Sequence, residues 1–187
     1  MNEPTTASAP DGPRVREMTL ADCARVAEIR VRGWQHAYKG LMPQPYLDGL
    51  DAAEDAARRR DRLRGADGSV VNLVAERAGS VVGWACHGPH RDDEVRSGDV
   101  ELYAIYVLPD VLGQGIGQAL LRESVARCAR AGHERMLLWV LKENTPARRF
   151  YERAGFRPDG AEEPFEAGGA MVPEVRYARV LTGDANR

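Results

Sequence analysis

The sequence predicts an α/β fold with a mixed central β-sheet of about six to seven strands and flanking helices. One observation is a short apolar strand, Val100 to Val107, followed by a glycine-rich turn, a helical pattern and a second apolar strand, Arg135 to Leu141. A strand, helix and strand of this length form a right-handed crossover between parallel strands. The other observation is an antiparallel hairpin pattern over Ser69 to Glu76 and Ser80 to His87, joined by a short turn that contains glycine.

A chain of 187 residues and 20.6 kDa is long enough for one well-buried domain and short for two. We expect a flexible N-terminal tail over residues 1–13, a single domain over residues 14–181 and a C-terminal tail over residues 182–187. The formal net charge is -2 and no long basic tract is present. Neither nucleic acid nor a membrane is therefore an expected partner.

The three cysteines, Cys23, Cys86 and Cys128, are odd in number, far apart and set in apolar runs. This pattern predicts reduced, buried thiols in a cytoplasmic protein rather than a disulfide framework. Residues 1–13 lack the basic start and apolar centre of a signal peptide, and no apolar run approaches the ~20 residues of a membrane span.

The first elements in the chain are a strand at Arg14 to Met18 and a helix that begins near Thr19 to Asp22 and continues to about Tyr38. Trp34 and Tyr38 lie one turn apart on this helix. Aromatic residues at that spacing usually pack in a core. We keep this interpretation beside the alternative that the pair borders a substrate site.

A second helix is predicted for Asp51 to Arg64, and we interpret its arginines, concentrated in Arg58 to Arg62, as a solvated face. The polar loop after the hairpin carries the acidic run Asp92 to Glu94, which could meet a cationic substrate. His87 and His90 lie near this loop without a third ligand, so no metal site is expected.

Three glycines within five residues, Gly113, Gly115 and Gly117, join the central strand to the next helix. Glycine lets the backbone approach a ligand, and a helix start leaves its first N–H groups unpaired and partly positive. Such a turn binds anions, most often phosphate. It lacks the Lys-Ser/Thr of a triphosphate loop, and Gln118 stands where a dinucleotide fingerprint has its third glycine. A turn without a ligand remains the alternative.

The segment after Arg135 to Leu141 reaches the crevice beyond the carboxyl ends of the parallel strands, where ligands bind in such sheets. Asn144 or Thr145 can cap a helix that begins with proline. Two closing strands are predicted around Phe165 and over Met171 to Val180.

Two of these stretches resemble signatures of the GCN5-related N-acetyltransferase (GNAT) family. Leu112 to Gly117 is similar to its coenzyme A loop, Gln/Arg-x-x-Gly-x-Gly/Ala, with Leu112 departing from the first position. Asn144 to Phe156 matches Asn-x-x-Ala-x-x-Phe-Tyr-x-x-x-Gly-Phe at every named position. The resemblance covers roughly residues 14–181 and implies the GNAT, or acyl-CoA N-acyltransferase, fold with acetyl-CoA as co-substrate. Trp34 to Leu47 is similar to the segment bordering the acceptor site of small-molecule members.

The resemblance also implies a set of binding residues. Backbone N–H groups of the loop would bind the pyrophosphate, Arg148 or Arg149 would meet the 3′-phosphate, and the end of the central strand would pair with the pantetheine arm. The implied coenzyme-binding residues are Tyr106, Val107, Gly113, Gln114, Gly115, Ile116, Gly117, Gln118, Asn144 and Arg148. Trp34 and Tyr38 are the implied residues of the acceptor site.

Acetyl transfer from a thioester to a primary amine needs a base and an acid. The amine, with a pKa near ~10.4, is protonated at neutral pH, and the leaving thiol has a pKa near ~8.5. In the family, the tyrosine at the position of Tyr151 is the general acid near the coenzyme sulfur. Glu101 lies fourteen residues before Gly115, as the catalytic glutamate does in histone-type members, and we predict it as the base. A core tyrosine, a strand-edge carboxylate and ordered water remain alternatives for these roles.

The sequence therefore predicts a cytoplasmic enzyme that transfers an acetyl group from acetyl-CoA to a primary amine of a small molecule. The acceptor classes considered are a metabolite, an amino acid, a polyamine and an antibiotic, attacked directly in a ternary complex. No metal is expected, and a homodimer is among the expectations. A protein or peptide N-acetyltransferase and a non-catalytic acyl-CoA sensor stay open as alternatives.

Overall fold

The computed structural model describes residues 12–91 and 98–181. The acidic run Asp92 to Glu94, the C-terminal tail and most of the N-terminal tail lie outside the described residues. In chain order the elements are β1 (Arg14–Glu17), a 3-10 turn (Leu20–Asp22), α1 (Cys23–Ala37), α2 (Gln44–Asp48), α3 (Ala52–Arg64), β2 (Val71–Arg77), β3 (Ser80–Pro89), β4 (Asp99–Val107), a 3-10 turn (Pro109–Val111), α4 (Ile116–Arg130), β5 (Arg135–Leu141), α5 (Thr145–Arg153), β6 (Arg157–Ala167) and β7 (Ala170–Val180).

The strands form one seven-stranded mixed sheet in the order β1-β2-β3-β4-β5-β7-β6. β4 and β5 are parallel, and the other neighbouring strands are antiparallel. The predicted fold class, the β2–β3 hairpin and the parallel crossover are therefore confirmed. Within residues 12–91 and 98–181, no helix is both long and apolar enough to cross a membrane.

Local signals fix the ends of several elements. The carboxylate of Asp51 accepts two backbone N–H bonds, of 2.7 and 2.9 Å, at the start of α3. The side chain of Asn144 accepts one of 3.2 Å at the start of α5. Between β2 and β3, Ala78 and Gly79 have φ values of +48° and +77°. Two successive positive values match the right-handed twist of the flanking strands.

The two parallel strands at the centre of the sheet are paired over a short length and then separate. β4 and β5 pair over three residues, and the last pair is Glu101 with Leu137. On its other edge β4 has a bulge at Tyr103, where the register with β3 shifts, and a bulge bends and twists a strand. Beyond the last pair the two strands separate. We call the gap between residues 102–107 of β4 and residues 138–141 of β5 the wedge.

Buried apolar side chains surround the sheet. One cluster joins β2, β3 and β4 to α1 and α4, and a second joins α4, β5 and β7 to Phe156. The three cysteines are free and buried, as predicted. Burial raises the pKa of Cys86 and Cys128 to about 11, so both thiols keep their protons at neutral pH.

The prediction that the arginines of α3 form a solvated face is wrong at one position. Arg59 turns inward, and 11% of its side chain is exposed. Its Nε donates to the Asp55 carboxylate at 2.7 Å, and its guanidinium lies 4.0 Å from the centroid of the Trp84 ring. Desolvating a charge is costly unless it is paired, so the carboxylate and the ring together explain the inward position. Arg58 and Arg62 remain exposed.

His87, on β3, should make the protein sensitive to acid. Its side chain is buried, and its Nδ1 has no hydrogen-bond partner among the described residues. Burial, with smaller effects from Arg127 and His133, lowers its pKa to about 4. The unfolded chain takes up this proton near pH ~6.5. As the pH falls from about 6.5 to about 4, we expect this group to lower the free energy of unfolding by up to about 3 kcal/mol.

Urea unfolding of the native protein and of His87→Leu at several pH values measures this contribution. Leucine has a similar volume and cannot be protonated, so the variant should lose less stability over this pH range. An identical pH dependence in the two proteins would contradict the prediction.

Candidate active site

The glycine-rich turn lies beside the wedge and provides free backbone donors. Gly113 and Gly115 have φ values of +76° and +78°, which other residues rarely adopt. Gly115 is the N-cap of α4, and its carbonyl accepts the first helical hydrogen bond, from the N–H of Ala119 at 3.0 Å. The N–H groups of residues 116–118 come before that bond. They are therefore available to an anionic ligand.

The wedge encloses a cleft of about 460 Å³, which we call the wedge cleft. This volume is typical of small-molecule sites. Most of the predicted coenzyme-binding residues line it, together with the predicted acid. They are Tyr106, Val107, Gly113, Gly115, Ile116, Gly117, Gln118, Asn144 and Tyr151. The structure therefore brings together side chains and backbone groups from β4, the glycine-rich turn, α4 and α5.

Gln114 and Arg148 do not line the wedge cleft. Arg148 donates from Nε to the Tyr177 hydroxyl at 3.0 Å and from Nη1 to the Lys142 carbonyl at 2.9 Å. Arg153 lines the cleft instead, and sequence reasoning missed it. It follows Phe150, another lining residue, by three positions, so helical spacing places both on one face of α5.

Tyr151 lies on α5 in the wedge cleft with its ring packed against two phenylalanines. The ring centroids are 5.2 Å from Phe150 and 6.0 Å from Phe156, both in edge-on geometry. Burial raises the pKa of the Tyr151 hydroxyl. The hydroxyl therefore keeps its proton at neutral pH, as a general acid must before it donates. This position fits the predicted role, which stays a prediction.

A second cleft, of about 1170 Å³, adjoins the first. We call it the aromatic cleft, because its lining includes the rings of Trp34, Tyr38, Tyr46, Tyr103, Tyr106, Trp139 and Phe165. Tyr38, Tyr103, Tyr106 and Trp139 belong to the linings of both clefts. The hydroxyls of Tyr38 and Tyr106 are hydrogen-bonded at 2.9 Å. The two clefts therefore meet at this pair of tyrosines.

Two interpretations of Trp34 and Tyr38 were possible from the sequence, packing in a core and bordering a substrate site. The structure has features of both. Their rings pack perpendicular to each other with centroids 5.1 Å apart, and Trp34 lies 6.0 Å from Phe165. Both residues are half-buried and line the aromatic cleft. They make packing contacts typical of a core and also face the cavity. Binding of an acceptor by these two residues stays a prediction.

Glu101 lines the aromatic cleft, and its carboxylate already has two partners. One oxygen lies 3.0 Å from His90 Nδ1, and the other is ion-paired with the Arg91 guanidinium. The His90 and Glu101 side chains are 4% and 2% exposed, whereas the Arg91 side chain is 65% exposed. These contacts give Glu101 a structural role. Its role as the general base stays a prediction.

We expect Glu101→Gln to lower the free energy of unfolding by only about 1 kcal/mol. The change removes the buried member of the ion pair and leaves the Arg91 charge mostly in water. No unpaired charge is therefore left buried. Urea unfolding of the two proteins at pH 7 measures the difference. A loss of about 3 kcal/mol or more, as found for an unpaired buried charge, would contradict this expectation.

Two carboxylates that the sequence did not single out also line the aromatic cleft. Glu163 of β6 and Glu174 of β7 are paired directly opposite each other in the sheet. Burial, followed by the charge of Glu163, raises the pKa of Glu174 to about 7. Glu174 begins a run of alternating polar and apolar residues, from which a strand was predicted. Its partner could not be identified, because β6 contains Asp, Gly and Pro, which are depleted in strands.

The sheet opens at its central parallel pair, and the opening holds a tyrosine and a helix start with free N–H groups. These features are those of the acyl-CoA N-acyltransferase class of enzymes. The model of the acetyltransferase (GNAT) family matches residues 32–156, and the chain belongs to this family of N-acetyltransferases. Within the described ranges, no group of three or more His, Cys, Asp and Glu side chains is placed to hold a metal ion.

Comparisons with individual proteins agree with this assignment. The chain is 34% identical over 163 residues to the uncharacterized N-acetyltransferase YuaI of Bacillus subtilis (strain 168), covering 86% of this chain and 89% of that protein. It is 25% identical over 191 residues to phosphinothricin N-acetyltransferase of Alcaligenes faecalis, covering 89% and 96%. The PaiA N-acetyltransferase of Thermoplasma acidophilum, solved in complex with coenzyme A, has a TM-score of 0.70 at 18% identity, over 90% of this chain and 99% of that one. The predicted GNAT fold is thus confirmed.

Proposed function

We propose that the protein transfers the acetyl group of acetyl-CoA to a primary amine of a small molecule. The observation that favours a small acceptor is a contact made by Tyr46, which lines the aromatic cleft. A side-chain carbon added at Gly168, in the β6–β7 turn, would lie 3.0 Å from Tyr46 Cβ on α2. The turn and α2 therefore touch each other. A contact between two segments beside the cleft leaves less room for an extended peptide, whereas a small molecule needs only the cleft itself.

The wedge cleft has the donors that coenzyme A requires. The free N–H groups of residues 116–118 suit the pyrophosphate, and Arg153 supplies a positive charge in the same lining. Beyond Glu101, the edge of β4 that faces β5 is not paired with β5, so the amides of the pantetheine arm could pair with that edge. Asn144 lines the same cleft. Bound there, acetyl-CoA supplies the thioester that is attacked.

The residues around the junction of the clefts supply the proton chemistry. Tyr151 holds a proton at neutral pH and can donate it to the leaving sulfur. The acceptor amine must lose a proton before its lone pair can attack. A carboxylate in the aromatic cleft is the natural group to take it.

The aromatic cleft carries charges of both signs. Its acidic residues are Glu101, Glu163, Glu174, Asp55 and Asp67, and its basic residues are Arg30, Arg58, Arg59, Arg62 and Arg91. Carboxylates suit the ammonium group of an acceptor, and exposed guanidinium groups suit an acidic group on the same molecule. Together with the relative that acts on phosphinothricin, this makes phosphinothricin a suitable first acceptor to test.

Thiol release from acetyl-CoA tests the proposal directly. The panel contains phosphinothricin, free amino acids, spermidine, an aminoglycoside and short peptides with free amino termini. We expect turnover with at least one small molecule and none with the peptides. Turnover with peptides alone would favour the peptide N-acetyltransferase. Tight binding of acetyl-CoA with no acceptor used would favour the acyl-CoA sensor.

A further inference from the structure

We propose that Glu174 takes the proton of the acceptor amine, and that Glu163 holds the ammonium group beside it. The inference rests on the proposed function, because it names the base for that reaction. It assigns the two roles to residues outside both family signatures.

The geometry of the sheet brings the two carboxylates together. Glu174 of β7 is paired with Leu141 of β5 on one side and with Glu163 of β6 on the other. Directly opposed residues of an antiparallel pair have Cβ atoms about 5 Å apart, and like charges there are destabilising. No hydrogen bond or ion pair with either carboxylate is found in the described part of the chain. A cation bound between them would relieve the repulsion.

The same cleft contains a second polar group that lacks a partner. His90 lines it, its side chain is 4% exposed, and its Nε2 is buried without a hydrogen bond in residues 12–91 and 98–181. A buried polar atom without a partner is uncommon in a folded protein. This atom is therefore an independent sign that the aromatic cleft is built to hold a ligand.

Glu174 is also close to the junction of the two clefts. Burial is the main cause of the raised pKa of Tyr38 and Tyr106, and the charge of Glu174 adds to it. The charge of Tyr106 in turn contributes to the raised pKa of Tyr151, after burial. The carboxylate thus acts on the tyrosines that separate the acceptor from the thioester. A base must lie at this position to serve an amine that attacks from the aromatic cleft.

Several charged or titratable groups act on Glu174 from the surrounding elements. They are Glu163 on β6, Glu101 on β4, Arg91 after β3, and the hydroxyls of Tyr38 at the C-terminal end of α1 and Tyr106 on β4. Burial and the two glutamates raise the pKa of Glu174 to about 7, and Arg91 opposes them. A base with a pKa near the working pH is both ionised and able to accept a proton. Glu101, by contrast, is already engaged by Arg91 and His90.

The proposed step balances in atoms and charge. The amine enters as R–NH3+ and gives one proton to the Glu174 carboxylate. Its nitrogen lone pair then forms a bond to the thioester carbonyl carbon. The carbon–sulfur bond breaks, sulfur takes the electron pair and the proton of Tyr151, and the second proton of the nitrogen restores the Tyr151 hydroxyl. The products are an amide, a thiol and one proton, which Glu174 releases to water.

The test compares pH–rate profiles of the native protein with those of Glu174→Gln, Glu163→Gln, Glu101→Gln and Glu162→Gln. Phosphinothricin and spermidine are the acceptor probes. In the native protein, kcat/KM should decrease as the pH is lowered through an apparent pKa of about 7. Glu174→Gln should remove this acidic limb and lower kcat/KM at pH 7 by about 100-fold. Glu163→Gln removes the like charge, so the limb should move to lower pH and the KM for the amine should rise.

Glu162→Gln is the matched control, because this neighbouring residue on β6 is exposed and pairs with Lys142 at 2.9 Å, outside the cleft. Its profile should equal that of the native protein. Carbon-13 labelling of the glutamate carboxylates gives a readout that needs no acceptor. The signal that disappears in Glu174→Gln should titrate near about 7.

Three results would overturn the inference. The first is an acidic limb with an apparent pKa of about 7 that survives in Glu174→Gln, where the rate should instead rise toward the pKa of the amine. The second is that this limb disappears in Glu101→Gln instead. The third is titration of Glu174 near the ordinary value of about 4.3. Failure of the proposed function gives a different result. The native protein would then bind acetyl-CoA, but no amine would cause it to release thiol from acetyl-CoA.

Discussion

Gly117→Val is expected to weaken acetyl-CoA binding at least about 100-fold while the protein stays folded. A Cβ at Gly117 would lie 3.5 Å from Phe150 and 3.7 Å from Val107, which is ordinary contact. Valine is also no worse than glycine inside a helix. The methyl groups would instead occupy the wedge cleft, where the phosphates approach the first N–H groups of α4. Loss of two charge-assisted hydrogen bonds costs about 3 kcal/mol, which corresponds to about 100-fold in affinity.

Titration calorimetry with acetyl-CoA measures this effect, and circular dichroism checks the fold. Gln114→Ala is the control in the same loop, since Gln114 does not line the cleft, and its affinity should match that of the native protein. Gly115→Ala is less informative, because a residue at φ +78° is strained with or without a ligand. Unchanged affinity in Gly117→Val would show that the coenzyme phosphates bind elsewhere.

Tyr151→Phe is expected to lower kcat by 10²-fold or more, which is the usual effect of losing an acid–base group. The change removes one oxygen and keeps the ring that packs against Phe150 and Phe156. Stability and acetyl-CoA affinity should therefore stay close to the native values. The raised pKa of Tyr151 adds a second expectation, because the native rate should not decline through ionisation of this hydroxyl at moderately alkaline pH.

Single-turnover kinetics with saturating acetyl-CoA separates the chemical step from binding and release. Tyr46→Phe is the control, since Tyr46 lines the adjoining aromatic cleft and no role is proposed for its hydroxyl. Its kcat should change far less. Equal losses in the two variants would point to a general effect of removing a hydroxyl and would exclude Tyr151 as the specific proton donor.

Features set by neighbouring residues were predictable from the sequence. The Ala78-Gly79 turn, the Asn144 cap and the helix start at Gly115 each depend on a few consecutive residues. Positive φ values, side-chain caps and unpaired N–H groups are local properties, so the sequence pattern was enough. The Asn144 cap and the helix start at Gly115 both line the wedge cleft, which explains why this part of the coenzyme side could be predicted from the sequence.

Features set by pairing between distant segments were not predictable. The opposition of Glu163 and Glu174 depends on the register of β6 and β7, which shifts at a bulge-like irregularity near Pro158. The hydrogen bond of Arg148 depends on Tyr177, twenty-nine residues away. The inward position of Arg59 depends in part on Trp84, which is twenty-five residues away. Such contacts exist only once the sheet has formed, so Glu163, Glu174 and Arg59 could not be placed in the aromatic cleft from the sequence.

The hydrogen-bonded tyrosines Tyr38 and Tyr106 form part of the wall between the two clefts. Ligands bound in the two clefts would both contact Tyr38 and Tyr106, so we expect the two binding equilibria to be coupled. If bound acetyl-CoA changes the affinity for the amine by some factor, the bound amine must change the affinity for acetyl-CoA by the same factor. The free coenzyme A left after transfer would contact the same tyrosines and so affect the binding of the acetylated product. We therefore expect the departure of coenzyme A and that of the acetylated product to be linked through Tyr38 and Tyr106.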